Sequence, residues 1–193
     1  MISDISFLQK NKNINVLNLA GNENIKDYSF ISKLEKLENL NLSNTNISDI
    51  SFIEKNKNIK ELNLQECENI EDYSFISKLE KLENLNLCYT NISDISFLEN
   101  NKNIKILNLS KCINIKDFSL ISKLEKLEDL ELICSNISDI SFLEKNKNIK
   151  KLNLKGCKII KDYSFRTKLK KFENIRIYYW MPSINLIIYY QLI

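Results

Sequence analysis

The sequence predicts an α/β solenoid: a right-handed β-α superhelix with a curved parallel sheet on its concave face and short helical or 3-10 returns on its convex face. Three observations predict it. The segment from Ile2 recurs at Ile47, Ile92 and Ile137, a constant period of 45 residues without insertion. Each unit divides into related halves of 23 and 22 residues, so the 193-residue chain carries eight short repeats. Seven of the eight halves contain an alternation of leucines, as in Leu17-x-Leu19 and Leu40-x-Leu42, and the eighth carries Ile175-x-Ile177 in its place.

That alternation makes a strand of about five residues with its leucines on one face. A single strand of this kind cannot bury its leucines alone. Stacking equivalent turns buries them in a continuous core, with the return segments covering the back. The eight strands are predicted to centre on Leu17, Leu40, Leu62, Leu85, Leu107, Leu130, Leu152 and Ile175. The returns Ser29–Leu37 and Ser74–Leu82 place Phe30, Leu34 and Leu37, and Phe75, Leu79 and Leu82, at helical spacing. One or two helical turns are expected there. Returns such as Ser51–Ile59 carry Asn56 where Leu34 sits, and are expected to be less regular, 3-10 or extended.

Residues 1–177 are therefore read as the array, eight repeats in four 45-residue pairs, and 178–193 as an apolar C-terminal cap or tail. The cap is the preferred reading, because the last repeat of a solenoid needs a cover for its leucines. A tail anchor, slightly short for a membrane span, and a degenerate end are the alternatives.

Composition removes several classes of function. There is no His, so the commonest general base and metal ligand is absent. The two glycines, Gly21 and Gly156, cannot form a phosphate loop or a dinucleotide fingerprint. No nucleophile has a base at a usable spacing, so no enzyme, cofactor or metal is expected. The five cysteines and the absence of a signal-like start at Met1-Ile2-Ser3-Asp4 favour a reducing, cytoplasmic setting. A cell surface is the alternative if the chain is a fragment of a longer secreted protein.

The repeats resemble the leucine-rich repeat family over nearly the whole chain. The 22-residue halves, with Leu-Ser-Asn-Thr-Asn-Ile-Ser-Asp-Ile at 42–50, are similar to those of internalins and of the phosphatase-regulator type. The 23-residue halves, with Leu-Asn-Leu-x-x-Cys at 62–67, 107–112 and 152–157, resemble the cysteine-containing repeats of ubiquitin-ligase receptors. The resemblance implies a protein-binding scaffold acting through its concave face. It leaves open an internalin-type surface adhesin, or an adaptor of a ubiquitin ligase or protein phosphatase.

Equivalent positions of a solenoid stack into columns. The Asp column (Asp4, Asp27, Asp49, Asp72, Asp94, Asp117, Asp139, Asp162) is read as turn residues accepting backbone N–H bonds rather than as calcium ligands, since no glycine-rich turns separate them. The column at the strand exit (Asn22, Thr45, Cys67, Thr90, Cys112, Ser135, Cys157) is read as buried packing, with its thiols reduced. The column before each strand (Glu38, Lys60, Glu83, Lys105, Glu128, Lys150, Glu173) alternates in sign, which opposes a slip by one repeat. The concave column is Asn18, Asn41, Asn63, Asn86, Asn108, Glu131, Asn153 and Arg176.

Departures from this amide background are the candidate partner-binding residues: Cys88, Tyr89, Ile106, Ile133 and Cys134, with Asp129 and Glu131 beside them. Apolar side chains aimed at solvent from a sheet face mark contact surface, or else record drift in a duplicated array. Residues 1–144 carry a net charge of −7 and residues 145–193 a net charge of +10. The basic end suits an acidic partner or is simply solvated. A monomer with a protein partner is expected. Nucleic acid is not expected, nor is a membrane except through the apolar tail.

Overall fold

Three residues form the strand in each turn of the array: β1 (Val16–Asn18), β2 (Asn39–Asn41), β3 (Glu61–Asn63), β4 (Asn84–Asn86), β5 (Ile106–Asn108), β6 (Asp129–Glu131) and β7 (Lys151–Asn153). Two longer strands follow, β8 (Arg176–Met181) and β9 (Leu186–Gln191). The structure is a computed structural model that describes residues 5–157 and, as backbone, the strands at 176–181 and 186–191.

The sheet runs in sequence order from β1 to β9. Strands β1 to β8 are parallel, and β9 returns antiparallel to β8. The leucines stay in step, with Leu17 opposite Leu40, then Leu62, Leu85, Leu107, Leu130 and Leu152. All seven are buried, while their neighbours on each strand face outward. One expectation is corrected: Leu152 pairs with Ile177 rather than Ile175. A two-residue displacement preserves the alternation of faces, so the leucine register tolerates it. It also sets Arg176 opposite Lys151 rather than opposite Asn153.

The convex returns are 3-10 turns at Ser6–Lys10, Ser29–Lys33, Ser51–Lys55, Ser74–Lys78, Ser96–Glu99, Ser119–Lys123 and Ser141–Glu144. No α-helix occurs among the described residues. The expected contrast between helical and irregular returns is therefore replaced by one geometry. In the first kind, Ile31 N–H donates to Tyr28 O and Leu34 N–H to Ile31 O; in the second, Ile53 N–H donates to Ile50 O and Asn56 N–H to Ile53 O. A repeat of 22 or 23 residues has room for only a short return, and short returns take the tighter i→i+3 bonding.

The residue expected to loosen the second kind is what ties it down. Asn56, Asn101 and Asn146 are fully buried. Asn56 Nδ2 donates to Ile31 O and Leu34 O, both at 3.0 Å. Asn101 repeats this with Ile76 O and Leu79 O, and Asn146 with Ile121 O and Leu124 O. Each asparagine clamps the turn one repeat before it.

The turn-forming columns behave as read. Six aspartates, from Asp27 to Asp139, accept the N–H two residues on, as in Ser29 N–H to Asp27 Oδ1 at 2.8 Å. Bonds from Ser74 and Ser119 hold the Asp72 and Asp117 carboxyls below their usual range. At the strand exits Thr45 Oγ1 donates to Leu42 O at 2.7 Å, and Cys67 Sγ reaches the same carbonyl at 3.0 Å. Cys112 and Cys157 do likewise on Leu87 O and Leu132 O. The alternating charges resolve into discrete pairs, each lysine closing on the glutamate of the preceding repeat: Lys60–Glu38 and Lys105–Glu83 at 2.8 Å, Lys150–Glu128 at 2.7 Å. Asp4, Asp162, Glu173, Ile175 and most of the basic cluster at 158–171 lie outside the described residues.

Candidate partner-binding face

Asparagine dominates the middle of the concave face for a reason beyond solubility. Its Oδ1 accepts the N–H two residues on and turns the chain out of the strand, as in Ser43 N–H to Asn41 Oδ1 and Cys88 N–H to Asn86 Oδ1, both at 3.0 Å. Glu131 interrupts this column on β6. The N–H it leaves unserved, that of Ile133, donates instead to Ser110 Oγ of the previous repeat at 3.1 Å.

Glu131 turns to Lys151 on the neighbouring strand β7 and forms an ion pair with it. Lys151 also meets Asp129 at 3.2 Å, so one ammonium bridges two carboxylates. The Glu131 hydrogen bond raises the Lys151 pKa. Burial pushes the Asp129 carboxyl up against the opposing pull of Lys151, and its Oδ1 is buried without a hydrogen-bond partner. Ile106 stands directly across the ladder from Asp129 on β5, 41% exposed.

Tyr89 occupies a different place, the rim where each strand turns outward. This position has positive φ in all seven described repeats: Gly21, Asn44, Glu66, Tyr89, Lys111, Cys134 and Gly156. Tyr89 holds φ 57° and is 46% exposed. The next residue of that rim, Lys111, places its Nζ 5.2 Å from the ring centroid, a cation–π contact. Cys134 is exposed on the same rim, while Cys88 and Ile133 are half-buried one position earlier. Cys134 Sγ lies where a Cβ at Gly156 would sit, at 2.7 Å, so the glycine makes room for it. Burial pushes the Cys88 thiol up.

The predicted residues thus fall into two strips of neighbouring repeats. Ile106, Asp129 and Glu131 lie on the strands, and Cys88, Tyr89, Ile133 and Cys134 at the strand exits. Sequence reasoning missed Lys151, Ser110 and Lys111, which hold these residues in place. For Lys151 and Ser110 the signal was the break at Glu131 in the asparagine column, one repeat away. It also missed three exposed apolar side chains, Phe7 at 64% on the first convex turn, Val16 at 62% on β1 and Ile113 at 58% beyond the rim.

The geometry agrees with the comparisons. A model of leucine-rich repeats in two copies matches residues 35–78, and a model of the BspA type leucine-rich repeat region in six copies matches residues 90–185. Among solved structures, the chain is 28% identical to an internalin C2 from Listeria monocytogenes, with a TM-score of 0.84, covering 93% of this chain and 76% of that one. An internalin, inlF, from the same species is 22% identical with a TM-score of 0.73, covering 92% of this chain and 57% of that one. A leucine-rich repeat protein from Leptospira interrogans is 22% identical with a TM-score of 0.69, covering 91% of this chain and 51% of that one. No curated protein sequence matches the chain. Constant period, leucine register, 3-10 returns and both repeat models agree: the chain belongs to the leucine-rich repeat family.

Proposed function

We propose that the chain is a non-enzymatic protein-interaction module whose partner binds the concave face and its exit rim at repeats four to six. One observation carries the reading. Large apolar side chains stand open to solvent on neighbouring repeats, Tyr89 at the exit rim after β4 and Ile106 on β5, beside the one break in the asparagine column of β1 to β7, at Glu131. Tyr89 offers large contact area at low entropic cost, and the Asp129–Glu131–Lys151 cluster beside Ile106 supplies polar specificity. Binding rather than catalysis also suits a family whose repeats serve as scaffolds.

A second reading concerns setting. The likeness to an internalin C2 over 93% of the chain supports an adhesin-type role at a cell surface over the cytoplasmic role. The C-terminal strands suit a cap, since β9 pairs antiparallel along all of β8 and so ends the parallel run of the array with a strand of another direction. No helix of the described residues is long and apolar enough to cross a membrane.

The test is affinity capture with quantitative mass spectrometry, comparing the native chain with Tyr89→Ala and Ile133→Asp. A partner held by the native chain and lost by both variants at unchanged melting temperature supports the reading. Equal retention by all three overturns it.

A further inference from the structure

Charge is sorted across the width of this array. Strands β1 to β7 are parallel, so the segments that leave them lie along one edge of the sheet. The segments that return to the next strand cover the convex side and the opposite edge. The seven returns, at 6–14, 29–37, 51–59, 74–82, 96–104, 119–127 and 141–149, carry thirteen lysines and six glutamates, a net charge of +7. The six exits after β1 to β6, at 19–28, 42–50, 64–73, 87–95, 109–118 and 132–140, carry ten carboxylates and three lysines, a net charge of −7. Those thirteen lysines and ten carboxylates are all exposed.

The described ion pairs draw on neither set. They join Lys60, Lys105, Lys150 and Lys151 to carboxylates that sit on the strands or just before them. The turn bonds that hold Asp72 and Asp117 below their usual range keep those two exit carboxyls ionised. The exits are most acidic in repeat three, where Glu66, Glu68, Glu71 and Asp72 stand in one segment without a lysine.

We propose that copies of this chain associate side by side, the lysine-rich return edge of one array lying against the carboxylate-rich exit edge of the next. A foreign polyanion would answer only the lysines, and a foreign cation only the carboxylates. A second copy answers both edges at once, with equal and opposite charge. Both rows recur with the same turn of the array, so two arrays laid parallel bring them together at one pitch. Charge complementarity of this kind fixes register and orientation. The contact joins two different edges, so each added copy leaves one edge of either sign open, and association continues as a row. The concave sheet between the edges stays uncovered. Exposed pairs are worth little singly, so the contact draws on many of them and weakens as salt screens them.

The test is sedimentation velocity of the full chain alone, over a range of concentrations, at about 0.02 M and about 0.5 M salt. The native chain is expected to sediment faster as its concentration rises at low salt, and as a monomer throughout at high salt. Two variants separate the edges. Lys33→Glu, Lys55→Glu and Lys78→Glu together bring the returns from +7 to +1, and Glu23→Lys, Glu68→Lys and Glu71→Lys together bring the exits from −7 to −1. The aspartates that close the turns stay in place. Each triple variant alone is expected to associate at least tenfold more weakly than the native chain at unchanged melting temperature. An equal mixture of the two is expected to recover association that stops at pairs, since only one matched contact remains. A native chain that stays monomeric at low salt overturns the proposal, as does association that salt leaves unchanged. Undiminished association by the folded lysine variant also overturns it, by assigning the contact to basic residues beyond 157. So does a mixture of the folded variants that associates no better than either alone.

Discussion

The hydroxyl of Ser110 accepts the N–H of Ile133 from the next repeat at 3.1 Å. At the corresponding step of six other repeats this N–H is served by an asparagine of its own strand, as at Asn108 for Ser110. The exchange releases Glu131 to pair with Lys151, and the polar cluster of the candidate face rests on it.

Ser110→Ala should therefore cost about 1 kcal/mol in denaturant unfolding, because the Ile133 N–H loses its partner. Adding Glu131→Asn should recover most of that loss by restoring the local acceptor. An equal loss in the presence and absence of the second change would contradict the exchange.

Asn101→Leu should destabilise by about 1–2 kcal/mol, although leucine fills the equivalent place in the alternate repeats at Leu79 and Leu124. It removes the two bonds to Ile76 O and Leu79 O at 3.0 Å. Each carbonyl keeps its 3-10 partner, so the loss stays moderate. A neutral or stabilising outcome in equilibrium unfolding would show that the clamp contributes nothing net.

Leu85→Ala in β4 should cost about 2–5 kcal/mol by leaving a cavity, since the side chain is fully buried in a central strand. A change under about 0.5 kcal/mol in the same assay would remove Leu85 from the core.

How much was legible follows from which signals are periodic. The leucine register, the aspartate turns and the inward Thr/Cys column repeat at fixed spacing, and stacking turns each into one structural feature. Asn56 was equally periodic, yet propensity alone set it down as a disrupting residue. Its role depends on carbonyls of the preceding repeat, which no single turn displays. Lys151 and Ser110 were hidden for the same reason, since they answer departures made by Glu131 one repeat away. Gly21 and Gly156 were visible as the chain's two glycines. Only the backbone, at φ 70° and 76°, shows that they share the rim position of Tyr89.

The thiols give a pH-dependent prediction. Burial pushes Cys67, Cys112 and Cys157 above the ordinary thiol range. In the unfolded chain these groups ionise near pH ~8.5, and in the folded chain later. Their contribution to stability is therefore complete below about pH 8.5 and declines as pH rises through the interval to the folded values. Tyr73, pushed by burial to about 12, extends the decline at higher pH. Thiol titration at pH 8 should label exposed Cys134 first and the three buried thiols only on unfolding, with all five recovered after denaturation without reductant. Recovery of three or one would contradict reduced, unpaired cysteines.

The most direct measurement returns the candidate face to its own background. Tyr89→Asn matches Asn44, which holds the same left-handed conformation at φ 54°, and Ile106→Asn matches Asn84 across the ladder. Neither should lower the melting temperature, since asparagine is well suited to positive φ and to this solvent-facing strand position. Val16→Asn is the control, an outward apolar residue on the same face at the far end. Asn18 is unsuitable for that purpose because its Oδ1 holds Ala20 N–H at 3.0 Å. With the captured protein partner as ligand, calorimetric titration should show Tyr89→Asn and Ile106→Asn each weakening binding by more than ~1 kcal/mol, about fivefold, while Val16→Asn leaves it unchanged. Equal weakening by Val16→Asn, or full affinity in the Tyr89→Asn, Ile106→Asn double variant, would contradict the placement of the partner on repeats four to six.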